Sequence, residues 1–209
     1  MEKDLVKRLI EKYGYNEPIF TEEVLSSWKE YSRTRVFQLL KEYTARGQLS
    51  KADRNIYYIP TKTFLGTSSI LSTRKIIEKR FINSNGEICG YYGGISLLNV
   101  LCLTQQVPNT LEVVTTKESM RLRRIRVGNM NVILKKARTE INSQNVAALQ
   151  LLDAFNEMGR PLDEDEVCSL RRFISRSSVK EGDVFRYAQY FPAKAVKNLI
   201  ITGVKNVFA

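Results

Sequence analysis

The sequence predicts an α+β protein in two parts, and three observations carry the prediction. Residues 32–60 read as a helix, a glycine stop and a short basic hairpin. Residues 121–138 read as a second hairpin, turned at Gly128-Asn129. Residues 145–158 repeat apolar side chains at helical spacing. Helices and hairpins are therefore interspersed along the chain.

Taken in order, residues 2–13 form a first helix with Leu5, Val6, Leu9, Ile10 and Tyr13 as its buried stripe, ended by Gly14. After the turn at Asn16–Pro18, Ile19 and Phe20 form a brief extended segment. Thr21 is expected to cap a second helix, with Glu22 and Glu23 well placed against its dipole and Val24, Leu25 and Trp28 facing inward. Ser32 caps the third. Val36, Leu39, Leu40 and Tyr43 fall on one side of it, with Phe37 on the flank, and Gly47 stops it. Two short strands, 48–51 and 56–59, are expected to flank the turn Ala52-Asp53-Arg54-Asn55.

The opposite side of the third helix carries Thr34, Gln38, Lys41 and Ala45, flanked by Arg33 and Arg35. Hydrogen-bonding side chains among cations suit a DNA major groove. An ordinary solvated face has the same pattern. The hairpin that follows, with Lys51 and Arg54 at its tip, favours the first reading. Three helices and a basic hairpin within 1–62 predict a winged helix-turn-helix, whose wing lies on the backbone beside the groove. The residues expected at DNA are Ser32, Arg33, Thr34, Arg35, Gln38, Lys41, Lys51, Arg54 and Asn55.

Residues 63–69, rich in Thr, Ser and Gly, read as a linker to a mixed α/β domain over 70–209 with a small sheet and several helices. A helix is expected at 70–82, with Ile76, Ile77 and Phe81 inward. A turn follows at Asn83–Gly86, then an apolar helix over 95–103 and a buried strand over 111–115. The stretch 121–138 holds seven basic residues and no acidic one. A two-residue turn at Gly128-Asn129 sets Ile125 opposite Val132 and sends Arg124 and Arg126 to the other face. Arg123, Arg124, Arg126, Lys135, Lys136 and Arg138 are thus expected to form a second basic surface, for DNA backbone or for a protein partner; a solvated sheet face is the alternative. Helices over 145–158, 163–175, 184–190 and 193–201 complete the chain.

Composition narrows the function. The net charge is +11, with +3 in residues 1–66 and +8 beyond, which favours polyanionic partners. With no histidine, the chain has no Ser-His-Asp triad and no mixed Cys/His zinc site. The three cysteines are widely separated, which predicts buried, reduced thiols in a cytoplasmic protein. The N-terminus lacks an apolar signal core, and the longest apolar stretch, 95–103, is too short to span a bilayer, so no membrane partner is expected. Glu87, Glu112, Lys117 and Glu140 lie near predicted strands but lack the spacing of a metal-dependent nuclease. No phosphate-binding glycine loop occurs. A non-enzymatic protein without cofactor or metal is expected.

The run Gly90-Tyr-Tyr-Gly-Gly-Ile-Ser-Leu-Leu-Asn-Val-Leu, then Leu103-Thr-Gln-Gln-Val-Pro108 and the strand over 111–115, resembles the AbiEi antitoxin family. The run 53–60, Asp-Arg-Asn-Ile-Tyr-Tyr-Ile-Pro, is similar to that family's wing. The family belongs to bacterial abortive-infection type IV toxin–antitoxin systems. The resemblance implies an N-terminal winged helix-turn-helix that represses its own operon by binding operator DNA. It also implies a C-terminal antitoxin domain that counteracts a toxin resembling a nucleotidyltransferase. Arg54-Asn55 stands where many wings have Arg-Gly, a mild departure because asparagine tolerates positive φ. The competing expectations are a stand-alone transcriptional regulator and a DNA-binding nuclease.

Overall fold

Leu5 and Leu9 recur four residues apart and are both fully buried, which turns α1 (Lys3–Tyr13) onto the core of the N-terminal part. The computed structural model describes residues 3–64, 66–158, 160, 162–202 and 207–208; Glu2 and Leu65, assigned from sequence to the first helix and to the linker, lie outside them. The described chain is α+β and divides into two compact units, residues 1–76 and 77–209.

In the first unit, β1 (Ile19–Phe20) leads directly into α2 (Thr21–Ser27), and α3 (Arg33–Ala45) follows a five-residue connection. Thr21 is not the cap expected of it. Phe20 holds that position, and Thr21 is the first helical residue. Its buried hydroxyl donates to the Asn55 carbonyl at 3.1 Å, which ties the start of α2 to the hairpin tip. Ser32 does cap α3, accepting the Arg35 N–H at 3.3 Å, and Gly47 leaves it with φ +71°. The hairpin strands are β2 (Ser50–Asp53) and β3 (Ile56–Tyr58), shifted from the sequence expectation. The turn shrinks to Arg54-Asn55, with a bulge between Lys51 and Asp53, and Asn55 adopts φ +61°. β1 pairs with β3, giving the order β1-β3-β2. Leu5, Leu9, Ile19, Val24, Trp28, Val36, Leu39, Leu40, Tyr43, Leu49 and Ile59 form one core.

Ser69, at the end of the stretch read as a linker, is hydrogen-bonded back onto the first unit. Ser69 donates through its N–H to the Thr61 carbonyl, and its carbonyl accepts the Tyr58 hydroxyl. The Ser69 hydroxyl accepts the Thr61 N–H and donates to Asn16. The helix expected over 70–82 is shorter: α4 (Thr73–Ile77) runs into a π-helical turn, Glu78–Ile82. Ile76, Ile77 and Phe81 are buried as expected.

In the second unit, β4 (Asn83–Ser84) and β5 (Glu87–Ile88) form a minimal hairpin. A four-stranded sheet follows, in the order β6-β7-β9-β8: β6 (Gly90–Gly93), β7 (Thr110–Thr115), β8 (Leu122–Val127) and β9 (Met130–Lys136). β8 and β9 pair in the expected register, Ile125 opposite Val132 and Val127 opposite Met130. β7 lies parallel to β9, a pairing that local sequence does not announce. α5 (Gly94–Val100) ends at Leu101, and Cys102 follows with φ +58°.

α6 (Val146–Glu157) supplies Leu149, Leu152 and Phe155 to a core shared with Tyr91 and Val114 on one face of the sheet. The π turn packs on β6 and β7. α7 (Glu164–Ser177), α8 (Glu181–Ala188) and α9 (Ala193–Thr202) follow, α7 opening on a capping box between Asp163 and Glu166. Of the cysteines, Cys89 is buried, but Cys102 and Cys168 are exposed: Cys102 turns out at the end of α5, and Cys168 lies on the solvent side of α7.

Candidate nucleic-acid interface

α3 buries Val36, Leu39, Leu40 and Tyr43 and exposes Arg33, Thr34, Gln38 and Lys41. Those four, with Phe37, line a shallow cavity of about 380 Å³. Phe37 was read from the sequence as a flank of the apolar stripe. It lies there, half-buried at the edge of the polar face, with the Arg33 guanidinium 5.9 Å from its ring centre. Its i, i+4 spacing from both Arg33 and Lys41 is the signal that could have found it.

Arg35 does not join this face. Its guanidinium reaches along the helix to Glu42, at 3.3 Å. Seven residues are close to two helical turns, so the two side chains share one side of α3. Ser32 is exposed, with its hydroxyl occupied as the cap. At the hairpin, Lys51, Arg54 and Asn55 are exposed. The tip is held from two sides: Asp53 accepts the Arg54 N–H at 2.6 Å, and the Asn55 carbonyl accepts both the N–H and the hydroxyl of Thr21. Its cations therefore project from a fixed turn.

The second group of basic residues does not form one surface. Residues paired in register share a face, so Arg124 and Arg126 of β8 lie on the same side as Ile133 and Asn131 of β9. Arg124, Arg126 and Lys136 are exposed. Arg123 is ion-paired at 2.7 Å with Glu118, whose carboxyl is buried. The Met120 N–H holds that carboxyl below the usual range, against its burial, with the Arg123 charge adding to the effect. Lys135 contacts Glu112 on β7 and lies 3.9 Å from Glu157 on α6. Arg138 stacks 5.2 Å over Phe191. Glu112 and Glu157 are each more than twenty residues from Lys135, whereas Glu118 stands only five before Arg123, just outside the stretch.

Around Lys135 the tertiary structure assembles a half-buried charge cluster of Glu112, Asp153, Glu157 and Arg138, with Tyr91 against Asp153. Burial pushes the Asp153 carboxyl up to about 6. Glu157 and Glu112 add to the rise, and Lys135 and Arg138 oppose it. Burial, then the Asp153 charge, raises the Tyr91 hydroxyl well above its ordinary value. Burial lowers Lys135, but Glu112, with Glu157 and Asp153, more than reverses that. Gly94 makes room for the cluster: a Cβ there would sit 2.6 Å from the Glu112 carboxyl. Among the described residues no group of three acidic or cysteine side chains is placed to hold a metal ion, and no helix is long and apolar enough to cross a membrane.

No protein-family model and no curated protein matches this chain.

Proposed function

We propose that residues 1–62 act as a winged helix-turn-helix that reads duplex DNA, and that the chain is a cytoplasmic bacterial antitoxin and autorepressor, without enzymatic activity or cofactor. The observation that carries the DNA reading is the exposed face of α3, where Arg33, Thr34, Gln38 and Lys41 stand clear of the core beside a basic hairpin of fixed geometry. The antitoxin reading is supported by the resemblance at 90–115 to the AbiEi family. The toxin is then the functional partner. A stand-alone regulator shares the DNA-reading half and differs only in lacking a toxin to counteract. Co-expression with the neighbouring reading frame separates the two: rescue of growth supports the antitoxin, and a neighbour without toxicity supports the regulator.

The DNA reading is tested on the promoter fragment of the protein's own operon. Gln38→Ala is expected to weaken binding by roughly 1–3 kcal/mol, the value of a bidentate base contact, and to relax sequence preference at one position. Unchanged affinity in a folded variant would remove Gln38 from the reading face.

Lys51→Ala and Arg54→Ala are expected to behave differently. Each should weaken binding to all sequences alike and flatten the dependence of log K on log salt by about one unit per lost phosphate contact. A loss confined to one base pair would contradict a wing role. Of the basic residues in strands β8 and β9, the exposed Arg124, Arg126 and Lys136 are the ones this reading offers to DNA backbone.

A further inference from the structure

α9 is apolar on two faces. Ala195, Leu199 and Thr202 are buried, and Asn198 fixes the helix by donating to the carbonyls of Phe155 and Met158, both at 2.8 Å. The outer side repeats the pattern with Ala193, Val196, Lys197 and Ile200 at spacings of three, four and seven. Together with Ile201, and with Ala188 and Phe191 at the end of α8, these line an open groove of about 680 Å³. Ile200 and Ile201 are 58% and 54% exposed. A helix apolar on both sides is ordinarily packed on both sides.

Charge specifies what fits. After Asp183 the chain contains no Asp or Glu, while Arg186, Lys194, Lys197 and Lys205 all occur there. On α9 itself the only charged side chains are Lys194 and Lys197, and Lys197 lines the groove. A second copy docked about a two-fold axis would bring these lysines toward their own images, in a protein already at +11. We infer that the α8–α9 groove is a docking site for an amphipathic helix of a partner protein, its apolar edge on Val196, Ile200 and Ile201 and its acidic flank against Lys197 and Lys194. The inference is independent of the DNA-reading face.

The full chain is tested with a fluorescent synthetic helical peptide, leucine along one face and glutamate along the other. Two controls accompany it: the same peptide with lysine for glutamate, and a scrambled peptide of identical composition. Saturable binding of the acidic amphipathic peptide is expected, about tenfold or more tighter than either control. Ile200→Glu should abolish it. Lys197→Glu should cut the preference for glutamate over lysine by roughly an order of magnitude while leaving the melting temperature unchanged. Both side chains are solvent-exposed, and the melting curve checks that each variant is folded. Equal binding of the scrambled peptide would reduce the effect to bulk charge. Binding of neither peptide would remove the site. A dimer in light scattering that Ile200→Glu dissociates would show that a second copy, and not an acidic partner, covers the groove.

Discussion

Gly90→Ala is expected to unfold the second unit or destabilise it by more than about 4 kcal/mol, a loss reserved for a few identifiable mechanisms. The mechanism here is collision with backbone. A Cβ at residue 90 would sit 2.2 Å from the Phe81 carbonyl oxygen and 2.6 Å from that of Val114. Neither atom ends a flexible side chain. One belongs to the π-helical turn and the other to β7, so accommodating the methyl group requires separating the turn from the sheet. Gly86→Ala is the control. Its Cβ would meet nothing within 4 Å, and only the strain of φ +83° remains, worth about 1 kcal/mol. Chemical denaturation followed by near-ultraviolet dichroism compares the two. A Gly90→Ala protein within about 1 kcal/mol of the parent would refute the close approach.

Asp153→Asn is expected to stabilise the protein at neutral pH and to leave it unchanged near pH 4. The folded-state pKa of Asp153 is raised from 3.8 to about 6. Below about pH 4 the carboxyl is protonated in both states and costs nothing. As pH rises from 4 to 6, the unfolded chain releases the proton and the folded one keeps it, so stability falls; above 6 the loss is complete. A shift of this size corresponds to about 2–3 kcal/mol. The neighbours that face Asp153 are Tyr91 from β6, Glu112 from β7, Lys135 from β9, Arg138 beyond it and Glu157 on its own helix. Asparagine keeps an acceptor for the Tyr91 hydroxyl. Thermal unfolding of parent and variant between pH 4 and 8 reads the difference directly. A variant less stable than the parent at pH 7.5, by an amount independent of pH, would show that the carboxylate is net stabilising where it lies.

Much of the framework is visible along the chain because it rests on local chemistry. Ser32 caps α3 where a hydroxyl precedes a periodic run. Gly128-Asn129 sets the β8–β9 register because a two-residue turn permits only one. Thr21 misled for the opposite reason: its hydroxyl found a better partner in Asn55, thirty-four residues away, and left the cap to Phe20.

The candidate site divides along the same line. That Thr34, Gln38 and Lys41 face away from Val36, Leu39 and Leu40 follows from helical periodicity alone. The positions of Phe37 at the cavity edge and of the Arg35 guanidinium at Glu42 depend on which rotamers packing leaves available. In the second unit the sequence by itself determined the hairpin and its seven cations. Only the tertiary structure decided their roles. The parallel pairing of β7 with β9, and the seat of α6 on the sheet, bring Glu112, Asp153 and Glu157 around Lys135. Charge pairing acts through space at a few ångströms, and no local pattern encodes which distant carboxylates a fold delivers to that range.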